Sequence, residues 1–185
     1  MKFRNLFIVF MLIFIAGCDD KKDSGDKVQI SIKKEAKLSQ NLNAPFSIKL
    51  LNGEGFNMTR KENGYNMGNG KHATLFIYWA TWCPPCIAEI KPLNNLNNNF
   101  QDKLKIIAVL TNDPISDKNL DDFIVEHNIT YDITKDTELL TKTMGDIKGI
   151  PYMVLYDKNG VYDRHYLGIV PEEMLFKDIE RVVDQ

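Results

Sequence analysis

The run Ala73-Thr74-Leu75-Phe76-Ile77-Tyr78-Trp79-Ala80 has one polar side chain and ends at Thr81-Trp82-Cys83-Pro84-Pro85-Cys86. Eight such residues fit a strand buried on both faces, the kind found inside a sheet that helices cover. Two prolines suit the first turn of a helix, where a missing N–H leaves no bond unmade. Ile87, Ile90, Leu93 and Leu96 then follow at helical spacing. A buried strand therefore passes into a helix across a pair of cysteines. Cys83 falls at the helix mouth, where unpaired N–H groups and the positive dipole end favour the thiolate. At this spacing Cys83 and Cys86 can close a disulfide across one helical turn and reopen it. The thiolate is the species that attacks disulfides, so the stretch points to dithiol–disulfide exchange.

The chain has 185 residues and a formal charge of -2, enough for one domain with a core and too near neutral to indicate nucleic acid. Its three cysteines are too few for a disulfide-stapled scaffold. A static structural disulfide at Cys83–Cys86 would close so short a loop that it gains little. Zinc is disfavoured because there is no second cysteine pair, and His72, His127 and His165 show no ligand spacing. No metal and no cofactor is expected.

A basic start, Met1-Lys2-Phe3-Arg4-Asn5, precedes an unbroken apolar run from Leu6 to Ile15 and then Ala16-Gly17-Cys18. This is the pattern of an export signal, with a run about half the length needed to span a bilayer as a helix. Ile15-Ala16-Gly17-Cys18 resembles a bacterial lipobox. That resemblance implies a lipidated Cys18 as mature N-terminus, anchored by several acyl chains. The alternative is an ordinary signal peptide or signal anchor with Cys18 incidental. From Asp19 to Asn43 the chain is rich in Asp, Lys, Ser and Asn, which reads as a solvated tether, with one short strand conceivable at Val28, Ile30 and Ile32.

Beyond Ala44-Pro45, alternation at Phe46 to Leu50, the Asn52-Gly53 turn, and Phe56 and Met58 predict a hairpin. Asn63 to Lys71, with three glycines, reads as a loop. Pro92 should kink the helix after Cys86, and the asparagines at 94, 95 and 97–99 should form its wet face. Lys105 to Thr111 predicts a second buried strand. Ser116 can cap a helix carrying Leu120, Phe123 and Ile124. Asp136 to Met144 predicts a shorter helix. Tyr152 to Tyr156 and Val161 to Leu167 read as strands joined by the turn Asp157-Lys158-Asn159-Gly160, and Pro171 opens a final helix with Met174, Leu175, Ile179, Val182 and Val183 apolar. The order gives an α/β chain with a mixed sheet flanked by helices.

This order, with its cysteine pair at the first crossover helix, resembles the thioredoxin fold with an N-terminal β-hairpin extension. Phe76 to Cys86 is similar to the phrase around that family's redox centre, and Gly149-Ile150-Pro151 is similar to its second landmark, a cis proline facing the cysteines. Within the superfamily the chain most resembles the membrane-tethered TlpA/ResA type of envelope oxidoreductase, many of which act as reductants and some in cytochrome c maturation. The resemblance implies Cys83 as the attacking thiolate, Cys86 as the resolving cysteine and Pro151 as the cis proline. It also implies a backbone at Ile150 free to pair with substrate, and Glu89 as a carboxylate near Cys86. One turn past Cys86 on the same face, a buried Glu89 would have a raised pKa and could relay a proton; the plainer alternative is a solvent-facing residue. Trp82, Pro84 and Pro85 would line the groove. Two departures stand out: Ile77 occupies the position of thioredoxin's buried aspartate, and Pro92 lies one residue later than the family pattern.

The expected organisation is a signal peptide over 1–17, a lipidated cysteine and tether over 18–43, and a thioredoxin-like domain over 44–185. The expected location is the extracytoplasmic or periplasmic side of a bacterial envelope membrane. Expected partners are cysteine-containing envelope proteins as substrates and a membrane electron donor. Two rival readings are a disulfide-forming oxidant of the same fold and a non-enzymatic thioredoxin-fold binding or assembly protein. A thiol peroxidase is disfavoured, for want of a second activating pattern around a lone cysteine.

Overall fold

A computed structural model of the chain describes residues 44–145 and 147–184. The expected signal peptide, Cys18 and the expected tether lie outside the described residues. Among these residues no helix is long and apolar enough to cross a membrane.

The apolar run becomes β4 (Ala73–Trp79), and all seven of its residues are buried. It is the middle strand of a five-stranded sheet ordered β6-β5-β4-β7-β8, comprising β5 (Leu104–Leu110), β6 (Asp132–Thr134), β7 (Tyr152–Tyr156) and β8 (Tyr162–Leu167). β4, β5 and β6 run parallel, whereas β7 pairs antiparallel with β4 and β8 antiparallel with β7. Successive side chains of a strand point to opposite faces, so β4 feeds two cores. Leu75, Ile77 and Trp79 share one with Cys83, Cys86, Leu93, Leu96, Leu120, Leu175 and Ile179. Phe76 and Tyr78 share the other with Ile48, Phe56, Met58, Tyr65, Met67 and Leu140.

Helices α1 (Pro84–Ala88), α2 (Ile90–Asn99), α3 (Asp117–Glu126) and α5 (Glu172–Val183) supply the first core, and α4 (Thr137–Met144) contributes Leu140 to the second. Ser116 caps α3 as expected, accepting the Asn119 N–H at 3.3 Å. In α5, Leu175, Ile179, Val182 and Val183 turn inward, while Met174 is exposed.

The expected N-terminal hairpin is present as β1 (Phe46–Lys49) and β2 (Gly55–Lys61), and a third strand, β3 (Gly64–Met67), extends it. β3 occupies part of the stretch expected to be a loop. Its glycines hid an alternation in which Tyr65 and Met67 are buried. β6 has no counterpart among the elements that the sequence predicts. Three residues carry no periodic signal, and the strand forms by pairing Asp132, Ile133 and Thr134 with β5.

The helix after Cys86 breaks at Glu89 rather than bending at Pro92. A proline clashes with the carbonyl four residues earlier, here that of Ala88, which ends α1. Pro92 then sits in the first turn of α2, where it is tolerated. The asparagines of α2 are not simply a wet face. Asn94 donates to the Asn128 carbonyl at 2.8 Å and accepts from Thr130 N and Oγ1 at 3.0 Å each. Asn97 donates to the Thr130 carbonyl and Asn95 to Glu172, both at 3.0 Å.

Candidate active site

β4 ends at Trp79, and the chain turns through Ala80–Trp82 before α1 begins. Cys83 is the N-cap of α1 with extended backbone (φ -99°, ψ 102°), and Pro84 and Pro85 fill the next two positions. Its sulfur accepts the Cys86 N–H at 3.3 Å, a first-turn donor of the kind that stabilises a thiolate. Cys83 and Cys86 are joined by a disulfide. Both cysteines are buried, Cys83 at 4% and Cys86 at 3% exposure, so neither is markedly deeper than the other. Trp82 (58% exposed), Pro84 and Pro85 form the outward surface around them.

Glu89 lies inside the protein, 2% exposed, and is not a solvent-facing residue. Its Oε1 accepts the Val170 N–H at 2.7 Å, while Oε2 is buried with no hydrogen-bond partner among the described residues. Burial pushes the Glu89 carboxyl above its ordinary range, and the Val170 hydrogen bond opposes this only in part. Burial and, second, the nearby Glu89 carboxylate push the Tyr131 phenol up. A carboxyl with one anchored oxygen and one free one can hold or release a proton without losing its place. Ile77, at the aspartate position of thioredoxin, is buried in the same core.

The Ile150–Pro151 peptide bond is cis, and Pro151 is buried just ahead of β7. Tyr78 pairs with Tyr152 in the β4–β7 ladder, so continuing that register sets Pro151 across from Trp79, where β4 leaves for the cysteines. Ile150, half-buried, packs against the core that contains Cys83 and Cys86. The Pro151 carbonyl accepts the Gly168 N–H at 2.9 Å, whereas the Ile150 N–H and C=O have no partner among the described residues. Residues 168–170 thus link the proline side of the site to Glu89.

Two contributors went unnoticed in the sequence. Asp113 Oδ2 accepts from Thr81 N at 2.6 Å and Thr81 Oγ1 at 2.7 Å, and the Asn112 carbonyl accepts from Trp82 Nε1 at 3.1 Å. An isolated Asn-Asp in a loop carries no spacing that points to a site some thirty residues earlier. Among the described residues no cluster of His, Cys, Asp and Glu is arranged to hold a metal.

Residues 43–177 match the AhpC/TSA family. The thioredoxin-like protein YneN of Bacillus subtilis (strain 168) is 28% identical over 154 residues, covering 82% of this chain and 83% of its own length. The thiol-disulfide oxidoreductase ResA of Geobacillus thermodenitrificans (strain NG80-2) is 26% identical over 106 residues, covering 57% of this chain and 60% of its own. Among solved structures, the thiol:disulfide interchange protein, a thioredoxin family protein from Chlorobium tepidum TLS, superposes with a TM-score of 0.59. It shares 21% identity and covers 75% of this chain and 93% of its own. The likeness shows the thioredoxin fold.

Proposed function

This chain belongs to the AhpC/TSA family and is a thiol–disulfide oxidoreductase of the thioredoxin fold, and on that premise we propose that Cys83 and Cys86 are its redox pair. The observation that carries the reading is the cysteine pair at the mouth of α1, with a first-turn amide on Cys83 Sγ, and Ile150, packed on the same core, whose backbone has no partner among the described residues. In the reducing direction the Cys83 thiolate attacks one sulfur of a substrate disulfide and expels the other as a thiolate. Cys86, deprotonated, then attacks Cys83 Sγ, releasing the second substrate thiol and leaving the Cys83–Cys86 disulfide. Two electrons pass to the substrate. Glu89 is suited to take the Cys86 proton, because it caps the helix that holds Cys86, its Oε2 is buried with no partner among the described residues and its pKa is raised. The Ile150 backbone groups, without a partner among the described residues, suit pairing with an extended substrate segment, against a surface formed by Trp82, Pro84 and Pro85.

Reduction is the favoured direction, on the likeness to ResA and on Ile150 before the proline. We further read Cys18 as a lipid attachment that keeps the domain over 44–185 at the outer side of a bacterial envelope membrane. Its substrates would be cysteine-containing envelope proteins, apocytochrome c among the class, and a membrane protein would supply electrons. The reduction potential tests the direction. Equilibration with thiol buffers should give a value nearer that of thioredoxin, about -270 mV, than that of the strong oxidant DsbA, about -120 mV. A value at the oxidising end overturns the reductase reading. Loss of fatty-acid labelling in Cys18→Ala tests the anchor, and unchanged labelling sinks it.

A further inference from the structure

We propose that Asp113 is a positioning residue for the exchange reaction, fixing Trp82 as a wall beside Cys83 through a clamp made by the loop at 112–113. The proposal rests on the thiol–disulfide exchange reading above. Trp82 is 58% exposed, so packing alone does not set the direction of its indole. Hydrogen bonds do. The Asn112 carbonyl accepts from Trp82 Nε1 at 3.1 Å, and Asp113 Oδ2 accepts from both Thr81 N (2.6 Å) and Thr81 Oγ1 (2.7 Å). The other carboxylate oxygen, Oδ1, accepts the Ile115 N–H at 3.0 Å, which ties the carboxylate to its own loop. Bonds to an ionised acceptor are the stronger kind.

The loop's backbone is shaped for the task. Asn112 has φ +49°, a left-handed conformation that asparagine tolerates better than most residues. Just before it, the Thr111 N–H donates to the Trp79 carbonyl at 2.8 Å, so the clamp and the segment it holds leave the same end of the β4–β5 ladder. Cys83 Sγ has its own donor, the Cys86 N–H, and none of the clamp's hydrogen bonds ends on it. The clamp therefore acts on recognition of a bulky disulfide and leaves the reactivity of the thiolate unchanged.

The test uses the full chain, purified in detergent, with dithiothreitol as the electron source and catalysed reduction of insulin disulfides, above the rate with dithiothreitol alone, read as KM and kcat. Alkylation of reduced Cys83 by iodoacetamide is followed against pH, because that reagent is too small to need the Trp82 wall. Asp113→Asn has one carbonyl oxygen in place of two carboxylate acceptors, so either the Thr81 N–H or the Ile115 N–H loses its acceptor. Thr81→Val removes only the hydroxyl donor, and Thr81→Ser keeps it. Expected are a KM raised about fivefold to tenfold in Asp113→Asn and about twofold to threefold in Thr81→Val. Thr81→Ser should match wild type, and all variants should share one alkylation profile. Thr81→Val decides the matter if Asp113→Asn does not fold. An active wild type whose variants keep its KM overturns the clamp alone, as does a KM rise matched by an equal shift in alkylation. A wild type that cannot reduce insulin overturns the exchange reading and the clamp with it.

Discussion

Glu89 shows how much a single residue's surroundings decide. Its spacing from Cys86 singles it out, but only the fold shows that one oxygen holds the Val170 amide while the other is buried with no partner among the described residues. Because burial raises its pKa in the folded state, protonated Glu89 is the form that the fold prefers. Below its ordinary pKa of 4.5 both folded and unfolded chains hold the proton, and the stability that protonated Glu89 contributes is fully present. As pH rises past that value the unfolded chain releases its proton first, so stability falls until the folded pKa is passed. Glu89→Gln keeps an acceptor for Val170 and cannot ionise. Its stability relative to wild type should therefore grow as pH rises from about 4 to about 8, measured by urea unfolding at each pH. A difference that stays constant across that range contradicts the assignment. At this scale the cysteines, Pro151 and Glu89 were legible because each stands at a fixed spacing or in a recognisable phrase. Asp113 was not, since its importance exists only once β4 and β5 lie side by side.

At the scale of elements, the segments with strong periodicity or turn chemistry were readable: β4, β5, the β7–β8 hairpin, and α3 with its Ser116 cap. What escaped was set by contact between elements. β6 needs β5 and the end of β1 to exist, since Thr134 bridges Leu50 and the Leu51 N–H donates to the Ile133 carbonyl. β3 docks through the close approach of two glycines. Tyr65 N donates to the Gly160 carbonyl at 2.9 Å, and a Cβ on Gly160 would lie 1.7 Å from the Tyr65 carbonyl oxygen. Gly160 also has φ +69°. Gly160→Ala should therefore destabilise the protein by at least about 2 kcal/mol, combining backbone strain with a forced separation of β3 from the β7–β8 turn. Gly53→Ala is the control, with φ +89° and nothing within 4 Å of the new methyl; it should cost about 1 kcal/mol. Urea midpoints compare the two, and equal losses would show that the β3 contact contributes nothing.

For the whole molecule, one strand explains the arrangement. β4 is apolar on both faces because helices cover one side and the β1–β3 sheet, with Leu140 of α4, covers the other. Its end delivers the cysteines to the edge of the helical core, beside the segment that carries Ile150 and Pro151. The nearly unbroken apolar run that opens at Ala73 thus encodes the sheet's centre and the site's location together. The central claim is that Cys83 attacks and Cys86 resolves, and trapping tests it most directly. Cells expressing Cys86→Ser should accumulate mixed disulfides between Cys83 and cysteine-bearing envelope proteins, visible as higher-mass bands that reductant removes. Cys83→Ser should accumulate none. Equal trapping by both variants, or none by either under conditions where wild type turns over, would contradict the account.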